Sequence, residues 1–175
     1  MFRSKPLRSL LAALFALWPL APVQAGAPRA ASPPAQANAA LLFPLEIIKN
    51  RDLDFGYLAA PTAAGTAVID PETDTISRTG GVVLLGGAPH AAMFTGAAKS
   101  TSVVIIRIPK QTITLTRVGG TETMTVSNWT LQGLDKRAAA ARVAFDFRVG
   151  GTLNVNANQA EGLYVGTFDV SIQYP

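Results

Sequence analysis

The densest group of chemistry-bearing residues in this chain is Asp70-Pro71-Glu72-Thr73-Asp74. Three carboxylates at alternate positions are hard oxygen donors of the kind that hold calcium. The same five residues also read as a polar turn between Ile69 and Ile76, because Asp and Pro are preferred turn residues. The glycine and the later bidentate acid of an EF-hand loop are missing. His90 is the single histidine, so neither a histidine-based triad nor a multi-histidine metal site can be assembled. Lying beside Pro89, it reads as a surface residue of a loop. The chain has no cysteine, which excludes thiol catalysis and zinc–thiolate ligation. Asn128-Trp129-Thr130 has the form of an N-glycosylation acceptor, with Trp129 reading as a core or half-buried aromatic. None of the glycine pairs leads into the Gly-Lys-Ser/Thr of a phosphate loop. The expectation is a protein that is no enzyme and holds neither cofactor nor metal.

The elements that would carry these residues are short strands. Asp54–Leu58, Thr66–Ile69, Val82–Leu85, Ala92–Ala97, Ser102–Ile108 and Thr112–Val118 are rich in Val, Ile, Thr and Phe. Thr123–Leu131 is a further strand whose apolar face switches from Met124 and Val126 to Trp129 and Leu131, as a bulge requires. In Arg142–Val149, Val143, Phe145, Phe147 and Val149 alternate with Asp146 and Arg148, and Leu153 and Val155 extend the apolar face. Gly-Gly pairs at 80–81, 86–87, 119–120 and 150–151 read as tight turns. Leu134–Ala141 is the one helix-like stretch, too short to be stable alone, and reads as a loop or a single turn. Many short strands, glycine turns and no long helix predict an all-β fold, an antiparallel β-sandwich.

The amino-terminal segment reads as an export signal. Arg3, Lys5 and Arg8 precede an apolar run from Leu10 to Val23, and Val23-Gln24-Ala25 supplies the small residues a signal peptidase reads. The run is shorter than the ~20 residues of a spanning helix and contains Pro19 and Pro22. Cleavage after Ala25 would remove three of the 15 basic residues and leave 12 against 11 acidic ones. No Lys/Arg cluster then remains to bind nucleic acid, and no later segment is apolar for long enough to span a bilayer. Gly26–Ala40 is an Ala/Pro-rich flexible leader. The domain itself is expected over residues 41–175. It opens on the alternating Leu41, Phe43, Leu45 and Ile47, where Pro44 favours an edge or a strand start.

The strongest pattern closes the chain. Tyr164, Gly166, Phe168, Val170, Ile172 and Tyr174 alternate, from Thr167 onward, with Thr167, Asp169, Ser171 and Gln173. Such a period of two marks a strand with one face in a core and the other in water. Gly162, Tyr164, Phe168, Val170, Ile172 and Tyr174 are therefore the candidate partner strand, packing the core and offering an edge. Leu41, Phe43, Leu45 and Ile47 form either a donor strand for another domain or the domain's own first strand.

Several of these motifs carry a family resemblance. Asp52-Leu53-Asp54-Phe55-Gly56, Gly80-Gly81-Val82 with Leu84-Leu85-Gly86, and Phe147-x-Val149-Gly150-Gly151-Thr152-Leu153 resemble a bacterial family known as domain of unknown function 4402. So does the ending Asn158-Gln159-x-x-Gly162-x-Tyr164-x-Gly166-x-Phe168-x-Val170. The resemblance implies a secreted or surface-associated domain of immunoglobulin-like β type, with no activity assigned. The penultimate Tyr174, and Gly162 fourteen residues from the carboxyl end, also resemble fimbrial subunits of the chaperone–usher pathway and spore-coat-U-like proteins. That second resemblance implies a pilin-like sandwich whose missing strand is supplied by a periplasmic chaperone and then by the next subunit. The chain departs from many classical pilins in having no cysteine pair, and Pro44 interrupts the would-be donor.

The functional expectation is an exported, non-enzymatic protein of the periplasm, cell surface or extracellular space: a fimbrial-like structural subunit assembling by strand addition. Its partners would be itself or another envelope subunit, and a periplasmic chaperone. The alternative is a monomeric binding module for a glycan or another envelope protein. It would use loop residues such as His90, the Asp70–Asp74 turn or the Leu134–Ala141 loop.

Overall fold

The computed structural model describes residues 44–175, so Leu41, Phe43, the export signal and the leader lie outside the described residues. Every regular element in it is a strand. In chain order these are β1 (Leu45–Arg51), β2 (Tyr57–Ala59), β3 (Gly65–Asp70), β4 (Thr75–Arg78), β5 (Val83–Gly86), β6 (Ala92–Ala98) and β7 (Ser102–Arg107). They continue with β8 (Ile113–Arg117), β9 (Thr123–Leu131), β10 (Lys136–Ala139), β11 (Ala144–Val155), β12 (Tyr164–Val165) and β13 (Ser171–Gln173). All strand pairs are antiparallel.

One layer is an eight-stranded sheet ordered β1-β6-β11-β9-β8-β12, with the β3–β4 hairpin also attached to β11. The twelve-residue β11 is its axis. One side of β11 pairs with β6 over Ala144–Val149 and then with β3 over Gly151–Val155. Its other side pairs with β9. The second layer is in two pieces, the sheet β10-β7-β13 and the ribbon β2-β5. Ile106 of β7 and Ile172 of β13 pack with Ala92, Phe94, Phe147 and Val149 of the large sheet. Leu58 of β2 packs on a second cluster built from Ala67, Ile69, Val126, Leu153 and Val155. Burying one apolar face of each sheet against the other is what holds an all-β chain together.

β9 contains the bulge that its switch of face requires. Asn128 and Trp129 stand opposite the single residue Gly151, the register shifts between Gly150 and Thr152, and Asn128 takes a positive φ of 47°. Asn tolerates that left-handed conformation better than most residues.

Three sequence expectations need correction. Gly150-Gly151 is not a turn but the middle of β11, at the point where its neighbour changes from β6 to β3. A Cβ on Gly150 would run into the carbonyl oxygen of Ile69, so the glycine serves close backbone approach. Leu134–Ala141 holds a strand, β10, which pairs with β7 from Lys136↔Ile105 to Ala139↔Ser102. Alanine and lysine favour neither strand nor edge burial, and tertiary pairing overrides that weak preference. Val143 is 56% exposed, because it precedes the strand it was expected to share with Phe145 and Phe147.

Substituting Gly150→Ala is expected to destabilise the domain by about 1–3 kcal/mol or more, the range for overpacking against unyielding backbone. Gly151→Ala has its tightest contacts with side-chain atoms, at 3.2 and 3.4 Å, and meets the Ser127 carbonyl oxygen only at an ordinary 3.5 Å, so it is expected to cost less. Urea unfolding midpoints of the two variants check the order; equal midpoints would contradict it.

Candidate functional site

The closing segment is positioned by both layers. Its first part belongs to the large sheet, where Tyr164 pairs with Arg117 and Val165 with Thr116 at the edge beyond β8. The Val118 N–H donates to the Leu163 carbonyl at 2.8 Å. The Tyr164 ring turns back on the chain, its hydroxyl donating to the Ala160 carbonyl and accepting from Gln159 Nε2, each at 2.7 Å. A tyrosine hydroxyl bonded to backbone a few residues upstream is the arrangement of a tyrosine corner, which fixes where a sandwich strand begins. Gly162 sits at φ 145° against the stem of Arg117. Gly166 passes so close to β8 that a Cβ would lie 2.7 Å from the Thr114 carbonyl oxygen.

From Gly166 the chain leaves the large sheet and crosses to the other layer. Phe168 meets Trp129 on the way, ring centroids 4.6 Å apart, and Trp129 Nε1 donates to the Gln111 carbonyl at 3.0 Å. Phe168, Val170 and Ile172 then pack half-buried on the Phe94–Phe147 cluster. The chain ends as β13 on the far side of β7, with Ile172 opposite Ile106. The single closing strand read from the sequence is thus two short strands joined by a crossing. Side-chain alternation continues through the crossing although the hydrogen-bond ladder does not.

Of the predicted partner-strand residues, Tyr164, Phe168, Val170, Ile172 and Tyr174 all take the half-buried face, and Gly162 lies exposed just before β12. The exposed apolar residues here are ones the sequence reading passed over. Leu163 is 67%, Val165 52% and the neighbouring Val118 57% exposed, forming a strip along the β12 edge. Leu163 and Val165 occupy outward positions that hold polar residues from Thr167 onward, and that break in the alternation was a usable signal. Leu45 and Ile47 lie in β1, opposite Ala98 and Gly96 of β6, so the described half of the possible donor segment pairs within its own domain.

The other candidate residues do not converge on a reactive centre. Asp70 caps its own turn, accepting from the Glu72 N–H at 2.9 Å and from the Thr73 hydroxyl at 3.1 Å. Glu72 accepts from the Gly133 N–H at 2.6 Å. Asp74 accepts from the Ala91 N–H and from Arg51, each at 2.7 Å. Burial pushes the Asp74 carboxyl up, but the Ala91 amide and the Arg51 guanidinium outweigh it and hold the group below its ordinary value. Among the described residues no three His, Cys, Asp or Glu are grouped to hold a metal ion. His90 forms a two-residue bridge with Asp54, and its Nδ1 faces the Ala88 carbonyl. Asn128 and Trp129 belong to the β9 bulge rather than to a loop.

The tightest ion pair of this region lies beneath the closing segment. Arg117 grips Glu122 through Nε and Nη2 at 2.7 and 2.9 Å. These hydrogen bonds lower the Glu122 carboxyl to about 2 from an ordinary 4.5, and they raise Arg117 in turn. The pair fixes the β8–β9 turn and lays the Arg117 stem against Gly162. Two clefts flank Phe168. One of about 250 Å³ is walled by Pro109, Lys110, Gln111 and Asp169, the other of about 120 Å³ by Lys49, Asp52 and Phe94. Chemically the arrangement presents a strand edge and apolar side chains.

A family model for a domain of unknown function, DUF4402, matches residues 45–174, and the chain belongs to that family. The matched span runs from the first residue of β1 to the residue after β13, so the family unit includes both edge strands discussed here. No curated protein and no solved structure matches the chain.

Because the folded state holds Glu122 ionised, its contribution is complete above about pH 4.5 and is lost as pH falls through about 2. Carboxyl-detected NMR is expected to place its midpoint near about 2, and Arg117→Gln is expected to return it toward 4.5. An unchanged midpoint in that variant would contradict the pairing.

Proposed function

We propose that this chain is an exported, non-enzymatic protein of the cell envelope: a fimbrial-like structural subunit that assembles by strand addition. The observation that carries the reading is the β12 edge. This two-residue strand ends the eight-stranded sheet and is laddered on one side only among the described residues. The strip of Leu163, Val165 and Val118 runs beside it. An incoming strand would gain the unused backbone donors and acceptors of that edge and cover the strip, the two contributions on which β-augmentation rests. The amino-terminal pattern of basic residues, apolar run and Val23-Gln24-Ala25 supports export. The carboxylates of the Asp70–Asp74 turn, each already engaged by backbone amides, Thr73 or Arg51, and the solitary His90 support a role without catalysis.

The alternative of a monomeric binding module draws on one specific feature. The cleft of about 250 Å³ beside Phe168 combines an aromatic side chain with Lys110, Gln111 and Asp169, a mixture able to hold a small polar ligand such as a sugar.

Self-assembly separates the two. Purified protein is expected to form fibres visible by electron microscopy, and Leu163→Lys with Val165→Lys is expected to disperse them while leaving the thermal transition in place. Both positions are exposed, so the substitutions spare the core. Particles that stay monomeric in wild type and variant alike would overturn the structural reading in favour of the binding module.

A further inference from the structure

Two segments that change layers meet at one cleft. Residues 108–112 carry the chain from β7 in the smaller sheet to β8 in the large one, and residues 166–170 carry it back from β12 to β13. The cleft of about 250 Å³ is bounded by residues 109–111 of the first segment and 167–169 of the second. Trp129 braces both. Its Nε1 donates to the Gln111 carbonyl at 3.0 Å, and its ring centroid lies 4.6 Å from that of Phe168. The cleft is thus held in shape by contacts of the folded domain, which lowers the cost of filling it.

Opposite charges stand on the two segments. Lys110 and Gln111 come from the first, Thr167 and Asp169 from the second, and all four are exposed. The side chains of Lys110, Thr167 and Asp169 have no hydrogen bond or ion pair with the described chain, and Lys110 and Asp169 are not paired with each other. Most carboxylates of the domain are engaged: Asp70, Glu72, Asp74, Glu122 and Asp146 all accept hydrogen bonds. The smaller cleft on the other flank of Phe168 makes the contrast plain. There Lys49 Nζ lies 2.6 Å from Asp52, so its two charges neutralise each other.

We propose that the larger cleft binds a small zwitterion, a free α-amino acid with an apolar side chain. The Lys110 ammonium takes the α-carboxylate and the Asp169 carboxylate takes the α-ammonium, both as charge-assisted hydrogen bonds. The Gln111 amide and the Thr167 hydroxyl supply further donors and acceptors. Phe168, Pro109 and Ile113 offer the apolar wall for the ligand's side chain. Charge complementarity selects this class. A simple anion is repelled by Asp169, a simple cation by Lys110, and a neutral sugar leaves both charges without a complement. Size agrees, since the cleft falls below the roughly 300–1,000 Å³ of pockets that take drug-sized ligands. The proposal rests on the reading of this cleft as a ligand site and is independent of assembly at the β12 edge.

Titration of the purified chain with L-phenylalanine, followed through backbone amide shifts by NMR, tests the assignment. Saturable shifts are expected at residues 110–113 and 167–169. Lys110→Gln and Asp169→Asn are each expected to weaken binding about fivefold, the upper range for an ion pair open to water. Neither side chain has a partner within the described chain, so both variants are expected to keep the parent melting curve. N-acetyl-L-phenylalanine lacks the ammonium and L-phenylalaninamide lacks the carboxylate. Each is expected to bind more weakly than L-phenylalanine, and to be insensitive to the substitution at the charge it no longer meets. Equal binding of the three compounds, or binding unaffected by either substitution, would overturn the proposal. Saturable binding of glucose in place of L-phenylalanine would also overturn it while keeping the cleft a ligand site; saturable shifts with neither would remove both. The Leu163→Lys, Val165→Lys protein is expected to bind L-phenylalanine as the parent does, so a missing fibre and a missing ligand are distinguishable failures.

Discussion

The closing stretch of this domain is hydrogen-bonded to both of its layers. β12 completes the large sheet, the Gly166–Val170 crossing carries Phe168 against Trp129, and β13 completes the smaller sheet. An all-β fold has no helix to clamp its sheets, so their relative position depends on side chains shared between layers and on segments that change layers. Here the Tyr164 hydroxyl fixes where the crossing starts, and Gly166 allows it to pass close to β8. Phe168, Val170 and Ile172 cover the open side of the Phe94–Phe147 cluster. Half-burial of these three side chains contributes on the order of 4 kcal/mol. That approaches the lower end of the roughly 5–15 kcal/mol that holds a typical domain together.

The same stretch separates the apolar residues used within the chain from those left exposed. The half-buried face of Tyr164, Phe168, Val170 and Ile172 is used within the chain. What stays exposed is the backbone edge of β12 and the apolar strip of Leu163, Val165 and Val118. On the other layer, the β2-β5 ribbon leaves Val83 and Leu85 exposed.

How much of this could be read from the residues depends on which physical signal each element carries. Thr123–Leu131 was legible down to its bulge, because a bulge must swap the apolar face and Val126 and Trp129 record the swap. The closing strand was legible as a pattern of faces but not as two strands, since alternation reports which side chains are buried and says nothing about the ladder partner. Gly150-Gly151 misleads because a glycine pair has the same local signature whether it makes a turn or lets the Ile69 carbonyl approach. β10 was illegible because Lys136, Arg137, Ala138 and Ala139 carry no strand preference; pairing with β7 imposes the conformation. Asp70–Asp74 reads as a polar turn between Ile69 and Ile76 and does join β3 to β4, yet its carboxylates bind partners as remote as Arg51 and Gly133, which no local pattern encodes.

The central claim is that the closing segment, by bonding to both sheets, holds the layers in register. Removing Phe168–Pro175 leaves β12 in place and takes away the crossing residues and β13, so thermal unfolding of that truncation followed by circular dichroism tests the claim most directly. The expected result is a chain with no cooperative transition. A soluble truncation that still melts cooperatively would contradict it.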